Sequence, residues 1–142
     1  MGETRTDVIL HNSADLYLEK QGKLTKKKSR SLKINALVDT GAVMILLPEE
    51  IVEKLGLFII DKRIVVLADD SKRTMNIAGN LSLTVCGRTM GTDCIVGPPS
   101  CEPLIGQIVL ETLDLIIDPL HKSITVRPES PYLPTLKLKH LS

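Results

Sequence analysis

The sequence predicts a single all-β domain with one or two short helices. Two observations favour this class: apolar and polar residues alternate along several short stretches, and polar or glycine-containing turns separate those stretches. A chain of 142 residues has room for one domain, taken as residues 1–142, and a hydrophobic content of 43% is sufficient for a core. Aromatic residues make up only 2% of the chain, so the core must be aliphatic and a site that stacks nucleotides or sugars is disfavoured.

The N-terminal segment 6–18 is predicted to contain two short strands, 6–10 and 15–18, separated by a turn at Asn12 and Ser13. The segment that follows, 21–30, is polar and rich in lysine, which is typical of an exposed loop between strands. A phosphate-binding patch for nucleic acid is the weaker interpretation, because no aromatic residue is interleaved with the charges. We therefore expect a solvated basic loop and no nucleic-acid partner.

The stretch after this loop contains the pattern that indicates a functional site. Polar and apolar residues alternate at the start of 31–38 and the last residues are all apolar. This pattern predicts a strand that enters the core and ends at Asp39. A carboxylate at that place is costly unless it is hydrogen-bonded. The residues that follow can supply the bonds, since Gly41 allows a tight turn whose amides point at the carboxylate and Thr40 adds a hydroxyl. Taken alone, the tripeptide Asp39-Thr40-Gly41 is also compatible with an ordinary strand end followed by an Asx turn.

The remaining elements follow from the same patterns. A short helix is predicted over 48–56. The segment has a proline and two acids in its first turn, a lysine in its last turn and a glycine at its end. A polar turn at 69–71 lies between two predicted strands, 63–68 and 72–77, and so predicts a hairpin. Further strands are predicted at 44–47, 81–85, 88–96, 115–117 and 123–126, and a helix at 107–113. Three prolines predict that the tail, 127–142, is irregular.

A second motif begins at Pro103, where Leu104, Ile105 and Gly106 precede the 107–113 helix. Together with the segment 36–42, and with the strand, turn and strand between 81 and 101, this motif resembles the retropepsin-like aspartic proteases, the family of the retroviral proteases and their bacterial and eukaryotic relatives. The resemblance covers about residues 31–118. The helix at 48–56 replaces a loop of the compact retroviral enzymes, which favours a bacterial-type cellular member.

The resemblance implies a closed β-barrel or sandwich, a single lobe that dimerises, and a role for each motif residue. Asp39 is the catalytic carboxylate, Thr40 hydrogen-bonds across the dimer axis, the Gly41 amide supports the carboxylate, and Ala42 lies at the cleft floor. The segment Leu104, Ile105 and Gly106 packs behind this loop. The hairpin tip corresponds to the flap that closes over bound peptide, with the candidate residues Ala68, Asp69, Asp70, Ser71 and Lys72.

Peptide hydrolysis by aspartates requires two carboxylates that share one proton. The sequence has no second Asp-Thr-Gly or Asp-Ser-Gly, so two chains must each contribute Asp39 across a two-fold axis. The predicted function is therefore a homodimeric aspartic endopeptidase acting on a peptide or protein substrate. The alternative is a catalytically idle dimer of the same fold that serves as a peptide- or protein-binding module.

Other chemistries have little support. The histidines His11, His121 and His140 are scattered and no cysteine pair accompanies them, so neither a metal nor another cofactor is expected. Cys101 lacks a neighbouring histidine in sequence that could act as its base. The odd number of cysteines, 3, favours a reducing cytoplasm, and no apolar run approaches the length needed to span a membrane.

Overall fold

The computed structural model describes residues 3–141 and is mostly β, with 45% strand and 14% helix. This composition confirms the predicted all-β class. The strands are β1 (Arg5–Asn12), β2 (Ser31–Val38), β3 (Ile45–Pro48), β4 (Phe58–Val66), β5 (Lys72–Val85), β6 (Arg88–Gly97), β7 (Leu104–Ile105), β8 (Leu115–Asp118) and β9 (Ser123–Val126). The helices are α1 (Ser13–Lys20), α2 (Glu49–Lys54) and α3 (Gln107–Thr112).

The N-terminal prediction was wrong in its second half, because 15–18 lies in helix α1 and not in a strand. Asn12 is the N-cap of this helix: its side-chain oxygen accepts the backbone N–H of Asp15 at 3.0 Å, so residue 12 begins a helix and not a turn. The Asp15 carboxylate in turn accepts Arg30 Nε at 2.7 Å, which ties the helix to the end of the basic loop. With α1 there are three helices in residues 3–141, one more than the upper limit predicted.

Seven strands form one mixed sheet in the order β1-β2-β7-β3-β6-β5-β4. Strand β1 also pairs with the second half of β5, from Leu81 to Thr84, so six strands form a closed ring of hydrogen-bonded neighbours. The first half of β5 pairs with β4 in the predicted hairpin, which lies outside this ring at the edge of the sheet. Strands β8 and β9 form a separate antiparallel pair.

One aliphatic core lies among these elements. Each of the six ring strands contributes buried side chains to it, α3 adds Val109 and Leu110, and its C-cap residue adds Leu113. Full burial of a leucine, isoleucine or valine side chain stabilises a fold by about 1.5–3 kcal/mol, so this cluster supplies much of the force that holds the ring closed. Segment 21–30 forms a loop with exposed lysines, and 127–141 lacks regular structure.

Candidate active site

The candidate site is built on the loop 39–44, which joins β2 to β3. Strand β7 lies between these two strands, parallel to β2 and antiparallel to β3. The loop must therefore pass over the end of β7 to reach β3. Its first residue is fixed to that strand, because the backbone N–H of Asp39 donates to the carbonyl of Ile105 at 3.0 Å. The loop then turns at once, with the Ala42 N–H donating to the Asp39 carbonyl at 3.1 Å.

The Asp39 side chain is half-buried and is held by the turn that follows it. The backbone N–H of Gly41 donates to Asp39 Oδ1 at 2.9 Å. A Cβ on residue 41 would lie 3.1 Å from the same oxygen, so glycine leaves room for this close approach. Thr40 is exposed, and its hydroxyl has no hydrogen-bond partner within residues 3–141. A carboxylate and a free hydroxyl thus lie side by side at the protein surface.

Gly106 lies directly under the loop. A Cβ on this residue would come within 2.5 Å of the Ala42 carbonyl oxygen and 2.7 Å of the Val43 backbone. The first amides of α3 complete the contact: the N–H of Gln107 donates to the Ala42 carbonyl at 2.7 Å, and that of Ile108 to the Val43 carbonyl at 3.1 Å. The first N–H groups of a helix have no acceptor inside the helix, and here two carbonyls of the loop accept two of these N–H groups. The loop is therefore fixed from below through its backbone.

The other two residues of the second motif hold strand β7 in place. Leu104 lies opposite Leu37 of β2 and Leu46 of β3, and Ile105 is buried in the core beside Val38. The structure therefore brings the two sequence motifs, 39–42 and 104–106, into direct backbone contact. These segments are more than sixty residues apart in sequence, so the contact is a product of the tertiary fold.

The hairpin tip is formed by hydrogen bonds within its own turn. The N–H of Leu67 donates to the Ser71 carbonyl at 2.8 Å and closes the turn between β4 and β5. Inside the turn the Asp69 carboxylate accepts the Ser71 hydroxyl at 2.6 Å and its N–H at 3.0 Å, and these bonds hold the pKa of Asp69 below its ordinary value. All five flap candidates are exposed. Within residues 3–141 no hydrogen bond joins them to the 39–44 loop.

The sequence analysis missed one part of this face. A cavity of about 920 Å³ opens beside Thr40, and the irregular tail forms part of its wall. The residues lining it from the loop, from α3 and from the tail include Thr40, Gln107, Glu111, Ser130, Thr135 and Leu136. The tail was predicted to be irregular, and it is, but it lines the same cavity as Thr40 of the 39–44 loop. No local sequence pattern indicates this position.

A buried polar network holds the tail in this position. Asp114, with a positive φ of 54°, accepts hydrogen bonds from the Ser130 hydroxyl, from Arg127 Nε at 2.9 Å and from the Thr135 N–H at 3.1 Å. These donors, Ser130 foremost, lower the pKa of Asp114 to about 2. The buried guanidinium of Arg88 donates to the carbonyls of Leu113, Asp114 and Ser130. The tail is thus tied to strand β6 and to the end of α3.

Other candidate chemistries have no geometric support. Among the described residues no group of three or more histidine, cysteine or acidic side chains is placed to hold a metal ion. Burial, together with the charge of Glu50, raises the pKa of the Cys101 thiol, and burial raises that of Cys94 to about 12, so neither is an activated nucleophile. Within residues 3–141 the structure contains no helix with the length and apolarity needed to cross a membrane.

Comparison of the chain with models of known protein families finds no match, and comparison with curated proteins finds no significant match either.

Proposed function

We propose that this chain is a homodimeric aspartic endopeptidase in which two copies of Asp39, one from each protomer, activate a water molecule for attack on a peptide bond. The observation that carries the proposal is the loop itself. It presents a half-buried carboxylate on a turn whose backbone is hydrogen-bonded to Ile105 below and to α3 behind. Catalytic groups must be held in a fixed geometry, and this loop is held by main-chain contacts on both sides.

The need for two protomers follows from the chemistry. In a carboxylate dyad the ionised member takes a proton from water while the protonated member polarises the substrate carbonyl, and one side chain cannot do both. The Asp39 carboxylate accepts a hydrogen bond from the Gly41 N–H, and the sequence offers no second Asp-Thr-Gly or Asp-Ser-Gly to supply its partner. A two-fold axis beside the exposed Thr40 would bring in the second Asp39 and give the Thr40 hydroxyl a partner.

The fold is compatible with this function. Six strands form a closed ring, which supports the acid-protease barrel proposed from the resemblance, and the β4–β5 hairpin lies at the sheet edge. A hairpin with few contacts outside its own pair can open and close over a bound segment. We propose that its tip, 68–72, acts as the flap and that an extended peptide lies between it and the loop. No metal or cofactor takes part in the proposed reaction.

The test is cleavage of a peptide library by the wild-type chain and by Asp39→Asn. Asparagine retains the side-chain oxygen that accepts the Gly41 amide but cannot act as a base, so we expect cleavage to fall by about 10²–10⁴-fold while the fold persists. Asp118→Asn is the matched control, because the Asp118 carboxylate also accepts a backbone N–H two residues on, from Leu120 at 3.0 Å. We expect the control to retain full activity.

The same experiment separates the enzyme from the peptide-binding alternative. An idle dimer binds library peptides but cuts none of them at any pH, and its binding is insensitive to Asp39→Asn. Cleavage that survives Asp39→Asn unchanged would exclude the aspartic mechanism.

All three cysteines are free thiols, and we propose the cytoplasm as the compartment because its reducing environment preserves them.

A further inference from the structure

Strand β4 lies at one end of the seven-stranded sheet, and its outer edge is uncovered. Within residues 3–141 it pairs with β5 and with no other strand. Five of its apolar side chains are between 48% and 70% exposed: Phe58, Ile59, Ile60, Ile64 and Val66. The free N–H and C=O groups of an edge strand can pair with another chain. Exposed apolar side chains along such an edge therefore indicate a surface that another strand covers.

The order of residues along β4 is symmetric in chemical type. Three apolar residues, 58–60, precede the charged residues Asp61, Lys62 and Arg63, and three apolar residues, 64–66, follow them. A two-fold contact between identical chains requires a surface that is complementary to itself. When two β4 strands run antiparallel with Lys62 at the axis, 58–60 lies opposite 64–66 and each Asp61 lies opposite the partner's Arg63. Apolar residues then meet apolar residues, and acids meet bases.

The charges of β4 favour this register over its neighbours. In an antiparallel pair, residues directly opposite each other have their side chains on the same face of the sheet, so the two-fold axis passes through a residue and not between two. With the axis at Asp61, Lys62 would lie opposite Ile60. With the axis at Arg63, it would lie opposite Ile64. Either shift places a lysine against an isoleucine and leaves the acid without a base opposite it.

The acid and the base of this pattern already lie on one face of β4. Arg63 Nε donates to Asp61 Oδ2 at 3.3 Å, and both side chains are more than half exposed. In the two-fold pairing each carboxylate lies between the Arg63 of its own strand and the partner's Arg63, and opposite charges across a strand pair stabilise it. Lys62 lies on the other face, opposite its own copy, and this repulsion opposes the pairing. Exchange of the charges should therefore control whether the two strands pair.

We infer that β4 is a self-association edge: two copies of the chain pair their β4 strands antiparallel about an axis at Lys62 and join their sheets into one. A second copy is favoured over a peptide, because a peptide would not require the symmetric order of residues. The inference goes beyond the proposed function, since it uses no residue of the 39–44 loop. The hairpin tip, 68–72, lies outside the paired segment 58–66. Where both contacts form, β4 pairing joins one shared-site dimer to another.

The test exchanges the charges in the full chain and measures self-association by sedimentation equilibrium across protein concentration. Asp61→Arg makes positions 61 and 63 both basic, and Arg63→Asp makes them both acidic, so like charges lie opposite each other when either variant pairs with itself. We expect the dissociation constant of the β4 contact to rise at least about tenfold in each variant. An equimolar mixture of the two variants should restore the contact, because every base then lies opposite an acid.

Asp7→Arg is the matched control. Asp7 is an exposed aspartate with a basic neighbour, Lys33, at 3.9 Å, but its strand β1 pairs with both β2 and β5. We expect this variant to associate like the wild type. Lys62→Gln removes the repulsion at the axis and should lower the dissociation constant. Far-ultraviolet circular dichroism establishes that each variant is folded.

An unchanged dissociation constant in both charge variants would overturn the inference. Failure of their mixture to restore association would also overturn it, because the two-fold register makes the two variants complementary. Unchanged association with lost cleavage would overturn it by assigning the β4 edge to substrate. A wild type that pairs through β4 but cleaves no peptide at any pH would contradict the proposed function and support this inference. A wild type that stays monomeric would overturn both.

Discussion

Gly106 lies so close to Ala42 that a Cβ on residue 106 would be 2.5 Å from the Ala42 carbonyl oxygen. This contact between the start of α3 and the 39–44 loop leaves no space for any side chain, because the neighbouring atoms belong to backbone and cannot rotate away. The loop geometry therefore depends on a glycine that carries no chemistry of its own.

Gly106→Ala should displace the loop and weaken the fold. We expect a loss of about 1–3 kcal/mol in the free energy of unfolding, measured with denaturant, and a loss of cleavage because Asp39 moves. The control is Gly91→Ala, where a Cβ would meet its nearest atom at an ordinary 3.9 Å. That variant should stay within about 0.5 kcal/mol of the wild type. Equal stability of the two variants would mean that the loop is not packed on Gly106.

Arg88 gives a prediction about the tail. Its guanidinium donates to the carbonyls of Leu113, Asp114 and Ser130, and Arg88→Met removes all three hydrogen bonds. The Asp114 carbonyl keeps the backbone N–H of Arg127 as a donor, at 3.2 Å. We expect a loss of about 1–3 kcal/mol in unfolding free energy and earlier proteolysis of the tail. Arg73→Met, at an exposed arginine of β5, should change neither. Intact tail protection in Arg88→Met would show that other contacts anchor the tail.

The lowered pKa of Asp114 predicts how the stability of the folded protein depends on pH. Its pKa is lowered to about 2 in the folded protein, below the ordinary value of 3.8, so its ionised form is the one that the fold stabilises. This contribution is present above about pH 4 and is lost as the pH falls through about 2. The stability difference between the wild type and Asp114→Asn should shrink over that window. In Ser130→Ala, which removes one donor, an NMR titration should find the pKa of Asp114 closer to its ordinary value.

The strands and the site loop were predictable because their causes are local. Alternation in 81–85 and 31–36 follows the pleat, and the Asp39 turn is encoded by the glycine two residues later. The α1 helix was missed because Leu16, Tyr17 and Leu18 favour a strand by composition. The capping residue Asn12 with Asp15 three positions later was the signal that could have identified it.

The tail was beyond prediction from sequence. Its prolines correctly indicated an irregular chain, but its place is set by Arg88 and Asp114, which are 42 and 16 residues from Ser130. Contacts at such separations leave no periodic pattern, and a buried aspartate or arginine looks like a surface residue until the fold is known. The cavity beside Thr40 was missed for the same reason.

If two chains share one site, an inactive chain should inhibit an active chain by forming a mixed dimer with it. Wild-type protein mixed with Asp39→Asn forms dimers that hold one carboxylate, so activity should fall below the value expected from dilution alone. Asp118→Asn, mixed in the same ratio, should not reduce the activity. Simple additivity of the two chains in the first mixture would mean that each protomer works alone.

Two close carboxylates also predict a bell-shaped pH dependence. Like charges resist simultaneous ionisation, so the pair should lose its protons in two separate steps, and the proposed mechanism uses the singly protonated form. We expect cleavage to rise and fall with pH around a centre on the acidic side of neutrality. The measurement is kcat/KM across pH at a protein concentration that keeps the dimer saturated. A single sigmoidal limb would indicate one titrating group.

The most direct test of the shared site is specific activity against protein concentration, measured alongside sedimentation on the same samples. If each site needs both copies of Asp39, specific activity follows the dimer fraction: it falls steeply where dimers are scarce, levels off once they saturate, and returns when a diluted sample is concentrated. Constant specific activity down to concentrations at which sedimentation finds only monomers would contradict the shared site.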